Sequence, residues 1–341
     1  MKKFFKVVLV IIIFMFLGAV CYRIFVDNQG NKTPKEEVKK NTKKKQEKNN
    51  YPSYNGYLKV AGTNLVNQYD EDFVLKGVSS HGIQWFDLYG KDNLKALKDD
   101  WNTNVFRIAM YTKEGGYIDD SSVKDKLIKI VDDLINLDMY VIVDWHILSD
   151  NNPTTYTKES KEFFNEISKK YKDKPNVIYE ICNEPNGNTS FEDINKYANE
   201  VIPVIRKNSP KSLIIVGTPN YSQDVDRVIK LGFDNIMYSL HFYSGTHKEE
   251  LRNKARSALS NNTPIIVSEF GVSEASGNGG IYFDETDKWI KFLKENKISI
   301  ISWNLSNKNE TSAILKENTD TVKDENLTST GKYLKDIFKN Y

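Results

Sequence analysis

VIVDW, residues 141–145, sets β-branched residues side by side and closes them with a carboxylate and an indole. Branching at Cβ favours extended backbone, and a run without polar alternation suits a strand covered on both faces, as in a parallel sheet. LIIVG at 213–217 and PIIVS at 264–268 repeat the pattern on the C-terminal side. Working outward gives eight expected strands: Phe73–Ser79, Asn104–Ala109, Met139–Asp144, Val177–Cys182, Leu213–Gly217, Ile236–Leu240, Pro264–Ser268 and Ile298–Ser302. Amphipathic stretches with helical period lie between them, among them Ser122–Leu137, Lys158–Tyr171, Phe191–Lys207, Asp284–Glu295 and Leu327–Lys339. A hairpin over Gly56–Val66, turning at Ala61-Gly62, opens the series. Eight strand–helix repeats predict an α/β fold, a (β/α)8 TIM barrel of typically ~250 residues plus loop insertions. The rival is an open doubly wound sheet, which would carry a Gly-rich phosphate turn after its first strand. GVSSHG at 77–82 lacks that pattern.

The net charge of +2 on 341 residues hides two unlike regions. Residues 1–50 hold 12 of the 48 Lys+Arg and 4 of the 46 Asp+Glu, which leaves residues 51–341 at −6. An acidic body argues against nucleic acid as a partner. The two cysteines, Cys21 and Cys182, cannot frame a disulfide fold, and their spacing fits no zinc motif. Lys2, Lys3 and Lys6 precede an uncharged run from Val7 to Tyr22. Its ~24 Å of helix is short of a ~30 Å bilayer core, but snorkelling of Lys6 and Arg23 makes one span feasible. Residues 1–26 are therefore expected to be a membrane-anchoring transmembrane helix. A cleaved signal peptide is the alternative, and Gly18-Ala19-Val20-Cys21-Tyr22 is a poor cleavage site. Residues 27–50, with eight lysines and few apolar side chains, are expected to be a flexible tether. Those lysines, by the positive-inside rule, argue for a cytoplasmic body. The chemistry of residues 51–341 argues for an exported one.

Barrel active sites form where strands end, and the polar residues gather there. His81 follows the first expected strand, Arg107 and Tyr111 lie at the second, and His146 follows the third. Asn183 and Glu184 follow the fourth, His241 and Tyr243 the sixth, Glu269 the seventh and Trp303 the eighth. Glu184 and Glu269 are the pair that cleavage of a glycosidic bond requires, one protonating the leaving oxygen while the other attacks or activates water. Arg107 can hold a nucleophile ionised, and Asn183 can bond a sugar hydroxyl beside the acid.

The stretches LKGVSSHGIQWF, NVFRIAMYT, VIVDWHIL, VIYEICNEPNG, IMYSLHFYSGTH, IIVSEFG and ISWNLSNKNETS supply one motif per expected strand, the fifth excepted. With them the chain resembles glycoside hydrolase family five, and most closely its bacterial endo-β-1,4-glucanases, from about Gly56 to the C-terminus. The resemblance implies a retaining catalytic domain over 51–341, with Glu184 as acid/base and Glu269 as nucleophile. It also implies that Arg107 and Tyr243 orient the nucleophile and that His241 tunes the acid/base. His146 and Asn183 would bind hydroxyls at the cleavage point, and Trp303 would form the stacking platform. His81, Trp85, Lys308 and Glu310 would line the non-reducing side, with Tyr111 among the substrate-binding residues. No metal or organic cofactor is implied. The partner is β-1,4-glucan, as cellulose or cello-oligosaccharide, and a monomer is expected.

Two departures stand out. PNYSQDV at 219–225 carries Tyr221 where these glucanases commonly have a Trp that grips leaving-group sugars, and SEFG has Phe270 where Trp is common. Specificity for mannan, xylan, mixed-linkage glucan or xyloglucan is an open alternative. A catalytically dead glycan-binding protein is disfavoured, since both glutamates are present. Trp101, Trp145 and Trp289 are expected in the core, Cys182 as an inert core thiol, His247 at the surface or in a loop, and Ser276–Gly280 as a flexible loop. The expected location is the cell membrane, single-pass, with the catalytic domain outside, trimming β-glucan near the cell surface.

Overall fold

A computed structural model describes residues 49–341. The expected anchor and tether at 1–48 lie outside these residues. No helix among the described residues is long and apolar enough to cross a membrane. Residues Asn50–Tyr341 form one compact unit.

A hairpin of β1 (Lys59–Ala61) and β2 (Asn64–Val66) precedes the barrel. Its turn sits at Gly62-Thr63, one residue later than expected, because Gly62 supplies the positive φ of 62°. The barrel strands are β3 (Lys76–Ser80), β4 (Val105–Tyr111), β5 (Tyr140–His146), β6 (Val177–Glu180), β7 (Ile214–Val216), β8 (Ile236–Tyr243), β9 (Ile265–Gly271) and β10 (Ile300–Leu305). They close in chain order, β10 pairing with both β3 and β9, and every pair is parallel. All eight expected strands are present. Six of them run past their expected C-terminal ends, because the ladder carries the polar ends along: Tyr111 pairs with His146, and His241 with Glu269.

The helices are α1 (Lys91–Trp101), α2 (Val123–Asn136), α3 (Thr157–Lys170), α4 (Phe191–Asn208), α5 (Glu249–Ser260), α6 (Phe283–Glu295) and α7 (Ser329–Asn340). Strong local signals set some of their ends. At α4, Ser190 Oγ accepts from Asp193 N at 3.2 Å while Asp193 Oδ2 accepts from Ser190 N at 3.0 Å, a reciprocal capping box. The expectation of eight strand–helix repeats needs correction. Between β7 and β8 the chain forms only the short turn Pro219–Ser222 and the 3-10 turn Val225–Arg227. This connection has a proline at its start and lacks a helical-period apolar stripe, so it has no face to bury.

Packing is concentric. Outside the strands, Trp101, Trp145 and Trp289 are fully buried with Phe163, Phe164 and Phe242. Fully burying one such side chain contributes roughly 1.5–3 kcal/mol. Trp289 stacks on Phe242 at 4.1 Å, and Phe242 stacks on Phe270 at 5.3 Å, so Phe270 serves the helix layer. Inside the barrel, a second apolar cluster includes Leu75, Val105, Ile142, Ile178, Ile215, Met237, Ile266 and Ile301. Cys182 is buried and free, and burial pushes its thiol well above the usual range, as suits an inert core residue.

Candidate active site

Above the inner apolar layer, the inward positions turn polar. Arg107 on β4 is fully buried, and its guanidinium is used on every side. Nε donates to Glu180 Oε2 at 2.7 Å, Nη1 to Glu269 Oε2 at 3.0 Å and Nη2 to Asn183 Oδ1 at 2.6 Å, with Asp144 Oδ2 3.0 Å from Nη2. Burial works against its charge, yet Asp144, Glu180 and Glu269 together hold its pKa above the ordinary value.

Glu269 faces inward because β9 carries a bulge. From Ser239 to His241 β8 advances two residues, while β9 advances three, from Ile266 to Glu269. Strict alternation from Ile266 would turn Glu269 outward. The extra residue lets Ser268 and Glu269 both reach the interior and sends Phe270 to the helix layer. Glu269 Oε1 then accepts from the Tyr243 hydroxyl at 2.7 Å.

Glu184 stands on the loop after β6, and the backbone around it is fastened at several points. Asn183 N donates to Trp145 O at 3.2 Å, and Ser222 Oγ donates to Asn183 O at 2.7 Å. Gly217 permits this approach, since a Cβ there would sit 2.1 Å from Cys182 O. Glu184 Oε1 lies 2.8 Å from His241 Nδ1. Its Oε2 makes no hydrogen bond within the described residues. The reactive atoms of Glu184, His241 and Glu269 all lie within 4.8 Å of one another. That spacing would suit a cation on distance alone. Both Glu269 oxygens are already engaged, however, and the Arg107 guanidinium lies 3.0 Å away, which disfavours further positive charge.

The two histidines of this cluster are held in opposite states. His146 Nδ1 lies 2.6 Å from Asp144 Oδ2, and its Nε2 lies 3.2 Å from Asn183 Nδ2. An amide nitrogen only donates, so Nε2 accepts and the proton sits on Nδ1. Burial, with the Arg107 charge, lowers the His146 pKa to about 3. Burial acts against His241 too, but hydrogen bonds involving Glu180 and Glu184 raise its pKa to about 9.

An aromatic wall adjoins the carboxylates. Tyr111 lies 4.1 Å from His146 between ring centres, His146 stacks with Trp303 at 5.5 Å, and His81 lies 5.0 Å from Trp303. Trp85 packs on Tyr111 at 4.8 Å and is 47% exposed, so a large face remains open at the rim. Trp303 precedes a cis peptide to Asn304. Glu310 accepts from Asn304 and Ser312, lies 2.6 Å from Lys308 Nζ, and comes within 4.0 Å of His81 Nε2. Burial lowers the His81 pKa to about 4, with Glu310 opposing the shift. Tyr221 stands apart from this wall, 45% exposed, on a turn in which Asn220, Tyr221 and Ser222 all have φ of 57°. Its backbone N donates to Pro185 O at 3.0 Å, which ties the turn to the Glu184 loop.

Of the residues singled out from the sequence, the structure brings together Arg107, His146, Asn183, Glu184, His241, Tyr243 and Glu269. His81, Trp85, Tyr111, Trp303, Lys308 and Glu310 form the adjoining wall, and Tyr221 occupies a separate edge. Trp145 faces the helix layer against Phe163, as expected. His247 is a half-buried loop residue whose Nδ1 accepts from Tyr243 N at 2.9 Å. Sequence reasoning missed the polar layer beneath: Ser79, Asp144, Glu180, Ser239 and Ser268. Its signal was a lone carboxylate inside an otherwise apolar strand, in VIVDW and in VIYE. A cavity of about 720 Å³ opens near the start of β8, lined by Val60, Leu231, Phe233 and Tyr238 among others, and holds neither glutamate.

A closed parallel barrel bearing opposed carboxylates and an aromatic wall at the C-terminal end has the architecture of a barrel glycoside hydrolase. The family model for cellulase, glycosyl hydrolase family 5, matches residues 66–309, and the chain belongs to that family. An endoglucanase of Clostridium saccharobutylicum is 50% identical over 291 residues, covering 83% of this chain and 65% of the relative. Endoglucanase A of Evansella cellulosilytica is 52% identical over 246 residues, covering 71% of this chain and 50% of the relative. The chain thus spans about half to two thirds of the length of these curated relatives. Among solved structures, cellulase Cel5C_n superposes with a TM-score of 0.82 at 42% identity, covering 84% of this chain and 94% of that one. The catalytic domain of Thermobifida fusca endoglucanase Cel5A, in complex with cellotetraose, does so with 0.81 at 34% identity, covering 84% and 99%.

Proposed function

We propose that this protein is a retaining endo-β-1,4-glucanase that cleaves internal bonds of cellulose or cello-oligosaccharides by double displacement. The observation that carries the reading is the spacing and unequal setting of the two glutamates. One oxygen of each lies within 4.8 Å of one of the other, which supports the ~5–5.5 Å carboxyl separation of retaining enzymes over the ~6.5–9.5 Å of inverting ones. Glu269, held by Arg107 and Tyr243, is placed to attack the anomeric carbon and form a glycosyl ester. Glu184 offers Oε2 to the glycosidic oxygen, gives its proton to the leaving sugar, and then takes one from the water that hydrolyses the ester. The aromatic wall of Trp85, Tyr111 and Trp303 supplies apolar faces for sugar rings, and the named relatives are endoglucanases.

A reducing-end assay on a panel of β-glycans tests substrate class. Activity on mannan or xylan with none on carboxymethylcellulose would overturn the glucanase reading. NMR of the first-formed anomer tests retention, and a 2-deoxy-2-fluoro cellobioside should label Glu269. For location we propose display outside the cell on the apolar run from Val7 to Tyr22, with the lysine-rich segment as tether. Recovery of active protein mainly in the culture medium, cleaved near Cys21, would count against it.

A further inference from the structure

Beneath the two glutamates runs an unbroken chain of contacts. Glu269 meets Arg107 at 3.0 Å, Arg107 meets Glu180 at 2.7 Å, and Glu180 Oε1 accepts from Ser268 Oγ at 2.7 Å. Ser268 Oγ is 2.9 Å from His241 Nε2, and His241 Nδ1 is 2.8 Å from Glu184. Glu180 is the one carboxylate that touches both arms. It is fully buried, on β6, and takes no part in the reaction derived above.

Proton accounting along this chain fixes a hydrogen on Nε2 of His241. A hydroxyl has one proton, and Ser268 gives its own to Glu180. Ser268 therefore receives from Nε2 of His241, which must carry a hydrogen. Ser239 Oγ, 3.0 Å from the same Nε2 and bonded to Ser268, completes the cradle. Nδ1 faces Glu184 Oε1 at 2.8 Å, and with the acid proton on Oε2 that oxygen accepts, so Nδ1 carries a hydrogen as well. We propose that Glu180 is a positioning residue that acts through Ser268 to hold His241 with a hydrogen on both ring nitrogens, Nε2–H fixed on Ser268, so that Nδ1–H supports Glu184 Oε1 through both steps of the reaction. When Glu184 gives its proton to the leaving oxygen, the new carboxylate keeps the Nδ1–H bond. When water attacks the ester, its proton returns to Oε2, and Nε2–H never moves.

The inference rests on the reaction proposed above but adds a residue and a direction to it. Other charges face His241 as well: Glu184 and Glu269 directly, with Asp144, His146, Arg107 and His247 around them. None of these carboxylates reaches Nε2 through a hydroxyl bridge as Glu180 does, whose Oε1 itself lies 3.9 Å from Nε2. The raised His241 pKa of about 9 agrees with that arrangement.

The test is the pH profile of kcat/KM on a cello-oligosaccharide for wild type, Ser268→Ala, Ser268→Thr and Glu180→Gln. Ser268→Ala breaks the bridge and leaves the Arg107–Glu180 pair in place. Its basic limb is expected to fall about one pH unit earlier, with kcat/KM about tenfold below wild type at pH 9 after scaling at the optimum. Ser268→Thr should restore the wild-type limb, and Glu180→Gln should shift it at least as far as Ser268→Ala. A Ser268→Ala profile that superposes on wild type after scaling overturns the proposal, because a merely structural loss would be uniform in pH. Nitrogen-15 NMR of His241 reads which ring nitrogens are protonated without any turnover. Hydrogen on both nitrogens in wild type at neutral pH, with Nε2–H lost more readily in Ser268→Ala, supports the proposal, and Nδ1–H alone in wild type sinks it. An inactive wild type that still shows hydrogen on both nitrogens would refute the glucanase reading and not this one.

Discussion

Along five barrel strands the inward residue changes character within one repeat of two. Val105 gives way to Arg107, Ile142 to Asp144, Ile178 to Glu180, Met237 to Ser239 and Ile266 to Ser268. The lower residues are packed like any apolar core. The upper ones carry four carboxylates with Glu184 and Glu269, against the cations Arg107 and His241. Removing charges from water costs several kcal/mol each, and their mutual attraction offsets this only where every partner is met. Asp144 shows an unmet remainder, since Oδ1 has no hydrogen-bond partner and burial lifts its carboxyl well above the usual range. The two layers therefore do different work: the lower packs the barrel, and the upper fastens two glutamates to unlike partners, Glu184 to His241 and Glu269 to Arg107 and Tyr243.

If that division is right, the largest effect of any single change should fall on turnover and leave folding intact. Glu184→Gln and Glu269→Gln are each expected to lower kcat on soluble glucan by on the order of 10²–10⁴-fold, with Glu269 the more severe. Melting temperature should stay level or rise, because each change removes one negative charge from a crowded site. A Glu269→Gln protein that is destabilised by more than ~1 kcal/mol would show that Glu269 itself also carries the fold.

Arg107→Met strands Asp144 and Glu180 without their cation and is expected to cost about 3–5 kcal/mol in a denaturant titration. Ile142→Ala, one repeat below the polar layer, should cost about 2–5 kcal/mol through lost contacts and a residual cavity. The two differ in their second readout. Ile142→Ala should keep wild-type kcat in the folded fraction, and a selective loss of kcat there would break the division between layers.

Acidity sharpens the same contrast. The folded His241 pKa of about 9 lies above the ~6.5 of an unfolded histidine, so its contribution is whole below about 6.5 and is lost as pH rises through about 9. The folded His146 pKa of about 3 lies below that reference, so its contribution is present above about 6.5 and lost as pH falls. Stability of wild type minus that of His241→Gln, followed by denaturation across pH, should decline between 6.5 and 9. A difference that grows over this interval would contradict the charged state assigned to His241.

The lower layer was legible in the sequence and the upper one only at its tips. Val/Ile runs announce several strands buried on both faces, and the alternation of short β-rich runs with helical stretches marks the rest. Tyr111, His146, Asn183, Glu184, His241 and Glu269 were found because polar residues cluster where those runs stop. Asp144 and Glu180 were passed over because they sit inside the runs, where one carboxylate does not disturb a strand reading. The β9 bulge was also hidden. Nothing in IIVSEFG marks an extra residue, and only pairing with β8 reveals that Ser268 and Glu269 share a side. The missing helix after β7 had a faint signal in PNYSQDV, whose opening proline and polar run do not make an amphipathic face.

The smallest effect is expected at the rim, where Tyr221 belongs to neither layer. A Trp at this position would present a wider ring to sugars on the leaving-group side, and an added stacking contact is worth about 0.5–1 kcal/mol. Tyr221→Trp should therefore lower KM for cello-oligosaccharides about two- to fivefold with kcat unchanged, since a contact made equally in ground and transition states moves KM alone. Tyr221→Gly makes the opposite trade. At φ of 57° a residue with a Cβ is strained by roughly 1–2 kcal/mol, which glycine relieves. That variant should gain about 1 kcal/mol of stability against glycine's own chain entropy and bind oligosaccharide more weakly. Should Tyr221→Gly leave KM untouched, the turn is a structural fastening of the Glu184 loop, through Pro185 O and Asn183 O, and the leaving-group sugars are gripped elsewhere.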